Sequence, residues 1–106
     1  MRRYQQGDVN MFEAEDVPKG LKSRKPAERG FVLAEGESSG HAHTIEAEPG
    51  VDLFEGAEKT LWLSTLKPVV VRHEEHRQIR LPKGNYRIGI VREADPFMSE
   101  IRSVKD

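Results

Sequence analysis

The chain is divided into short apolar runs by residues that favour turns. Clear runs are residues 31–34, 60–66 and 86–91, and the turns include Pro49-Gly50 and Pro82-Lys83-Gly84. Apolar residues rarely recur at the 3.6-residue spacing of an amphipathic helix, whereas the two-residue alternation of strands is common. About eight strand candidates at regular spacing therefore predict an all-β fold, either a small barrel or a sandwich.

The length of the chain, 106 residues, predicts a single β domain over residues 1–106. Within it, residues 19–30 are predicted to form a polar, basic loop. Residues 99–106 are predicted to form a tail, either as a last strand or as a short terminal helix. A chain of this size buries only a modest core, which assembly into a homo-oligomer would extend.

The composition excludes several classes of site. The sequence has no cysteine, which removes disulfides, thiolate metal sites and cysteine nucleophiles. The net charge is −1 with both signs interspersed, so the chain as a whole does not have the charge of a nucleic-acid-binding protein. Residues 1–8 contain no apolar stretch typical of a signal peptide, and no apolar run is long enough to span a membrane. We therefore expect a cytoplasmic protein without a membrane partner.

All four histidines of the chain occur in two pairs, His41 with His43 and His73 with His76. Residues at i and i+2 of a strand share one face, whereas residues at i and i+3 do so only on a turn, a bulge or a helical turn. Imidazoles from two segments commonly meet around a divalent transition metal such as zinc, iron or manganese. We therefore predict a metal site formed by these four residues.

Several glutamates surround the two histidine pairs, namely Glu37, Glu46, Glu48, Glu74 and Glu75. A carboxylate beside a metal ion can orient a ligand imidazole or accept a proton from a bound water. Glu74, Glu75 and Glu48 are therefore the candidate catalytic residues. The competing interpretation is that these carboxylates are only solvated surface groups.

The spacing of Gly36, His41, His43 and Glu48 resembles the first cupin motif, in which a glycine precedes an H-x-H pair and a glutamate follows it. The resemblance implies a small, cupin-like, metal-binding β-barrel. It also implies that His41, His43 and Glu48 are metal ligands, with a third histidine supplied by His73 or His76.

The resemblance to cupins has three departures. The closing glycine of the motif is misplaced, since Gly50 comes too early and Gly56 one residue too late. The interval between the glycine and the first histidine is one residue shorter than in the motif. The second cupin motif places its histidine after P-x-G, whereas here His73 and His76 precede Pro82-Lys83-Gly84. The match therefore concentrates in residues 36–56 and is looser over residues 73–91.

The chain also resembles a group of short bacterial and phage proteins that share paired-histidine motifs. That resemblance implies no activity. It rests on these stretches: Gln6-Gly7-Asp8-Val9, residues 33–37 and 39–43, residues 73–76, residues 81–86 and Arg92-Glu93.

The favoured function is that of a small metal-dependent hydrolase or nuclease-like enzyme, acting on a small molecule or a nucleic acid. Lys83, Arg80 and Arg87 are the candidate substrate-binding residues, since their charges could stabilise a phosphorane. Two alternatives stay open: a non-catalytic binding or structural module stabilised by metal, and a metal-free ribonuclease with histidine acid and base.

Three aromatic residues, Phe54, Trp62 and Tyr86, lie at alternating strand positions. We expect them in the core, rather than as platforms on which bases stack.

Overall fold

The structure is a computed structural model that describes residues 2–36 and 40–90. The predicted tail and Glu37 lie outside these residues. The described residues form ten strands. In chain order they are β1 (Arg3–Gln6), β2 (Val9–Ala14), β3 (Lys22–Ser23), β4 (Phe31–Glu35), β5 (Ala42–Ile45), β6 (Val51–Glu55), β7 (Leu61–Thr65), β8 (Val69–Arg72), β9 (Ile79–Leu81) and β10 (Gly84–Ile90).

The strands form two antiparallel sheets. One has six strands in the order β1-β2-β10-β7-β6-β3, and the other has four in the order β4-β5-β8-β9. The prediction of an all-β fold is therefore confirmed, but the closed barrel, which the cupin resemblance also implied, is wrong because the two sheets stay separate. Among the described residues, no helix is long and apolar enough to cross a membrane.

The sequence pattern missed two strands, β1 and β3. Their sequences are polar, and β3 lies inside the predicted basic loop. They form the two edges of the six-stranded sheet. Edge strands often carry polar and charged residues, because these oppose pairing with another chain. For this reason hydrophobic alternation does not reveal them.

The core lies on one side of the six-stranded sheet and contains buried side chains from both sheets. Alternate residues of the central strands enter it, as in Leu61 and Leu63 of β7 or Tyr86 and Ile88 of β10. Tyr86 is fully buried, as predicted, and its hydroxyl donates a hydrogen bond to the Pro82 carbonyl oxygen at 2.6 Å. Burial, with Tyr4 nearby, raises the pKa of Tyr86 to about 12.

The core assignment is wrong for Phe54 and Trp62. Both are only half-buried, and each alternates along its strand with core residues. In a strand, successive side chains point to opposite faces. The two rings therefore lie on the outer face of the six-stranded sheet, which we define as the side opposite the core.

Three connections converge beside β5 and position the candidate site. They are the Gly7-Asp8 turn between β1 and β2, the residues that lead into β5, and the segment 73–78 between β8 and β9. Gly7 adopts a φ of 59°, a left-handed conformation that glycine tolerates and that suits a tight two-residue hairpin.

Replacement of Leu63 by alanine is expected to destabilise the protein by about 2–5 kcal/mol, because it leaves a cavity in the core. Leu66→Ala is the matched control: Leu66 is 80 % exposed, and its loss should change the free energy of unfolding by less than about 0.5 kcal/mol. Urea unfolding followed by circular dichroism measures both values. Equal effects of the two substitutions would contradict this account of the core.

Candidate functional site

The four histidines lie together, so the two pairs meet in space. His43 lies in β5 and His41 directly precedes that strand, whereas His73 and His76 lie in the β8–β9 connection, outside regular strand. The ring centres are 4.4 Å apart for His43 and His73, 4.6 Å for His73 and His76, and 5.7 Å both for His43 with His76 and for His41 with His73. We call these four residues the histidine cluster.

A buried glutamine fixes the orientation of His43. The Gln6 amide nitrogen donates hydrogen bonds to the carbonyl oxygens of Val71 and Arg77, at 3.0 and 2.9 Å. The amide oxygen is therefore left to face His43 Nδ1 at 2.8 Å. Because this oxygen can only accept, Nδ1 of His43 carries the proton and Nε2 keeps its lone pair.

The same part of the cluster has low pKa values. Burial, followed by the proximity of His73, lowers the pKa of His43 to about 4. Burial, followed by the proximity of His76, also lowers the pKa of His73. Both rings are therefore neutral at physiological pH, which is the form of histidine that binds metal ions.

Two carboxylates reach the cluster from different sides. Asp8 Oδ1 lies 3.8 Å from His43 Nε2, the nitrogen that keeps its lone pair, and Glu75 Oε1 lies 3.8 Å from His41 Nδ1. Their side chains are 55 % and 68 % exposed, respectively. The cluster therefore extends from buried His43 to carboxylates that water can reach.

Glu74 lies beside the cluster, and both of its carboxylate oxygens have partners. One of its oxygens accepts a hydrogen bond from the Ala42 backbone N–H at 2.9 Å, and the other pairs with Arg29. The Ala42 hydrogen bond is the main reason that the pKa of Glu74 lies below its ordinary value. Since both oxygens are engaged, Glu74 is better suited to holding β5 against the β8–β9 connection than to accepting protons.

Glu48 does not join the histidine cluster. It lies beyond the far end of β5 and forms an ion pair with Lys67 at 2.8 Å. The cupin-like ligand role that the resemblance implied for Glu48 therefore has no geometric support.

The three candidate substrate-binding residues are dispersed. Arg80 is an exposed residue of β9, and Lys83 lies in the turn between β9 and β10. Arg87 lies on the outer face, where its guanidinium is 4.9 Å from the centre of the Phe12 ring. Other basic residues adjoin the cluster: Arg29 through Glu74, Arg72, which directly precedes His73, and Arg77, which directly follows His76.

Two glycines allow the histidine rings to approach the backbone. A Cβ atom at Gly7 would lie 2.8 Å from His76 Nε2, and one at Gly36 would lie 3.2 Å from His73 Nε2. Any larger residue would therefore push these nitrogens away. Space beside two ring nitrogens is thus kept clear of side-chain atoms.

The ring spacing fits a shared ion, although the donor atoms do not yet converge. No group of three or more histidine, aspartate or glutamate side chains in residues 2–36 and 40–90 is arranged to hold a metal ion. With metal–nitrogen distances of about 2.0–2.1 Å, ring centres around a tetrahedral ion would be about 5 Å apart. The four observed spacings, 4.4–5.7 Å, bracket this value.

A shallow depression adjoins the cluster at His73. Its volume is about 240 Å³. Its lining is formed by Ala42, Thr44, Arg72, His73, Glu74 and Gln78. A small polar or anionic group bound there would lie between Arg72 and the exposed side of the cluster.

Sequence reasoning missed Gln6, Asp8 and Arg29 as parts of the site. Gln6 and Asp8 belong to the stretch Gln6-Gly7-Asp8-Val9, and the resemblance in which that stretch was quoted was the one signal for them. Arg29 lay in the predicted basic loop without a distinguishing motif. No sequence pattern indicates that the Gly7-Asp8 turn packs against histidines more than thirty residues away in the chain.

A family model described as a domain of unknown function, DUF8820, matches residues 5–91. The chain belongs to this family. Searches among curated proteins and among solved structures found no match.

The metal-free protein is expected to lose stability as the pH falls from 6.5 to about 4. In the unfolded chain His43 takes up a proton near 6.5, whereas in the folded chain it resists protonation until about 4. The low pKa of His43 therefore contributes to the free energy of unfolding, by about 3 kcal/mol at most, above pH 6.5. This contribution is lost as the pH falls from 6.5 to about 4. The lowered pKa of His73 acts with the same sign.

Urea unfolding in the presence of a chelator, at several pH values, measures this dependence. His43→Gln is the comparison, since the substituted residue does not titrate. A stability profile equally steep in the variant would show that His43 is not responsible.

Proposed function

We propose that this member of the DUF8820 family binds a divalent transition metal ion at the histidine cluster and uses it in hydrolysis. The observation that carries the proposal is the Gln6 network, which leaves Nε2 of a buried, neutral His43 with a free lone pair. Ligand histidines typically donate their other ring N–H to an acceptor in this way.

The proposed ligands are His43, His73 and His76, with Asp8 as a carboxylate ligand and His41 at the exposed side. Asp8 approaches the same nitrogen of His43 that keeps its lone pair. Three imidazoles with one carboxylate suit zinc, iron or manganese. Three of the four histidines predicted as ligands thus belong to the proposed set, and Asp8 takes the place that the cupin resemblance implied for Glu48.

Binding at His73 requires one local rearrangement. Its Nδ1 accepts a hydrogen bond from the Glu75 backbone N–H at 3.0 Å, so in the neutral ring the proton sits on Nε2. Coordination through either ring nitrogen breaks this hydrogen bond. If Nε2 binds the ion, Nδ1 must carry the proton, and otherwise Nδ1 itself binds the ion. The β8–β9 connection is a short irregular segment that can absorb such a change.

Glu75 is the best-placed proton acceptor of the candidate catalytic residues. It is exposed, it lies beside His41, and its side chain has no backbone partner comparable to that of Glu74. A divalent ion supplies a Lewis acid and lowers the pKa of a coordinated water towards neutrality. Glu75 can then take up the proton, while Arg72 orients an anionic substrate in the neighbouring depression.

Burial of His43, which is 2 % exposed, favours a second candidate function. An ion held there could instead fasten the hairpin turn, β5 and the β8–β9 connection without catalysis. The two candidates differ in coordination: an enzyme keeps a position open for water or substrate, whereas a structural site is saturated.

The purified chain, reconstituted with zinc, iron or manganese, is expected to hold about one ion per chain, and the His73→Ala/His76→Ala variant to hold none. Asp8→Asn should weaken metal binding, while Glu48→Gln, a carboxylate outside the cluster, should not. Elemental analysis after gel filtration measures the content, and calorimetric titration measures the affinity. No bound metal in the native chain, or equal loss in both carboxylate variants, would refute the proposed site.

Gln6→Leu is expected to lower metal affinity by about 10–100-fold, the usual effect of removing the partner of a ligand histidine. It should also destabilise the metal-free protein by about 1–3 kcal/mol, because buried polar groups lose their hydrogen bonds. Titration at a temperature where the variant is folded separates the two effects. Unchanged affinity in a folded variant would show that Gln6 does not prepare His43 for a metal.

The absorption spectrum of the cobalt-substituted protein distinguishes catalytic from structural use. An open site predicts a spectral change on addition of phosphate or another small anion, together with metal-dependent hydrolysis that Glu75→Gln abolishes. A saturated site predicts a spectrum insensitive to anions, and a large fall in thermal stability on chelation.

A further inference from the structure

We propose that the outer face of the six-stranded sheet binds single-stranded nucleic acid, with bases stacked on Phe12, Trp62 and Phe54. This inference does not depend on the metal site. Arg3 and Arg87 complete the surface, which we call the aromatic row.

The pairing register places the five side chains in one line across the sheet. Arg3 pairs with Phe12, Phe12 with Arg87, Arg87 with Trp62, and Trp62 with Phe54. Residues directly opposite each other in an antiparallel sheet point to the same face. The line therefore crosses β1, β2, β10, β7 and β6 without interruption.

The aromatic rings of the row are not needed to fill the core. Phe12, Trp62 and Phe54 are each half-buried, while their neighbours along the strands, such as Met11 and Leu63, are fully buried. An aromatic side chain that is only half-buried on the outer face of a sheet keeps part of its ring surface available to a ligand. A Cβ atom at Gly56 would lie 2.9 Å from Trp62 Nε1, so the indole lies against the backbone, which limits its movement.

Arginine within the row adds a planar cation between the rings. Arg87 is exposed, and its guanidinium lies 4.9 Å from the centre of the Phe12 ring. Guanidinium planes stack on aromatic faces and on bases, and they also pair with phosphate. Since the guanidinium covers one face of Phe12, a base at this position stacks on the guanidinium plane, beside the ring of Trp62.

The charges around the row are complementary to a polyanion. Among the described strand positions that point to the outer face, Asp52 is the only acidic residue, whereas Arg3 and Arg87 are basic. The row ends beside β3, where Ser23 lies opposite Phe54 and the exposed residues Arg24 and Lys25 follow. The Arg24 backbone N–H donates to the Leu53 carbonyl oxygen at 2.7 Å, which holds this basic segment beside Phe54.

The dimensions of the row select a single strand. Adjacent strands are about 4.8 Å apart, so Phe12 and Phe54, three strands apart, are separated by about 14 Å. Other sheet surfaces of this width stack two or three bases. Duplex bases already stack on each other, so only an unpaired strand can place its bases on the rings.

Binding is tested with labelled single-stranded DNA and RNA of about twelve nucleotides, a length within the site sizes of known single-strand binders. The protein is kept in a chelator, so that neither metal nor cleavage contributes. We expect an increase in fluorescence anisotropy and quenching of the intrinsic emission of Trp62, which is the only tryptophan of the chain. A duplex of the same sequence should bind at least about tenfold more weakly.

The variants assign the binding to the aromatic row. Trp62→Ala and Phe54→Ala should each weaken binding about tenfold or more, and Trp62→Phe should retain much of it because a stacking ring remains. Arg87→Gln should reduce the salt dependence of the affinity, whereas Arg80→Gln, an exposed arginine of the four-stranded sheet, should not. Circular dichroism confirms that each variant is folded.

Three outcomes would overturn the proposal: no anisotropy change, equal affinity for duplex and single strand, or equal affinity of the folded Trp62→Ala, Phe54→Ala and native proteins. Quenching of Trp62 by a soluble polysaccharide or a peptide, without any response to oligonucleotides, would also overturn it and assign the face to another ligand. Because metal is excluded throughout, failure here leaves the proposed metal site untouched, and failure of the metal site leaves this result standing.

Discussion

One buried amide, the side chain of Gln6, connects the two sheets at the histidine cluster. It extends from β1 of the six-stranded sheet to His43 of β5, to the carbonyl oxygen of Val71 in β8 and to that of Arg77 in the following connection. A buried polar group that lost these partners would be costly, about 1–3 kcal/mol for each unsatisfied group. The position of the cluster relative to the β1–β2 hairpin therefore depends on this residue.

Packing four imidazoles together has an electrostatic consequence. If several of them were protonated, like charges would lie close together in a site that is partly shielded from water. Burial is the larger cause of the lowered pKa values of His43 and His73, and the neighbouring imidazoles add to it. Neutral rings at physiological pH are available as ligands, and the Gln6 hydrogen bond determines which nitrogen of His43 is free. The tautomer of His43 and the nearby carboxylates are the features that support the proposed metal binding.

The sequence predicted the all-β class because hydrophobic alternation is a direct record of which strand faces are buried. The same signal failed for β1 and β3, since edge strands bury little and their residues are polar. It also failed for Phe54 and Trp62, because aromatic residues favour strands on either face. Alternation does not indicate whether a sheet closes into a barrel. The barrel implied by the cupin-like spacing of His41, His43 and Glu48 is not formed.

By itself, the sequence determined the strand periodicity, the absence of thiolates and the spacing of the two histidine pairs. These are local properties of neighbouring residues. Only the tertiary structure decided that both pairs share one cluster, that Gln6 and Asp8 join it, and that Glu48 pairs with Lys67 at the other end of β5. The physical reason is that such contacts depend on strand register and on packing between sheets. Both are set by burial over the whole chain and leave no local pattern around the residues that eventually meet.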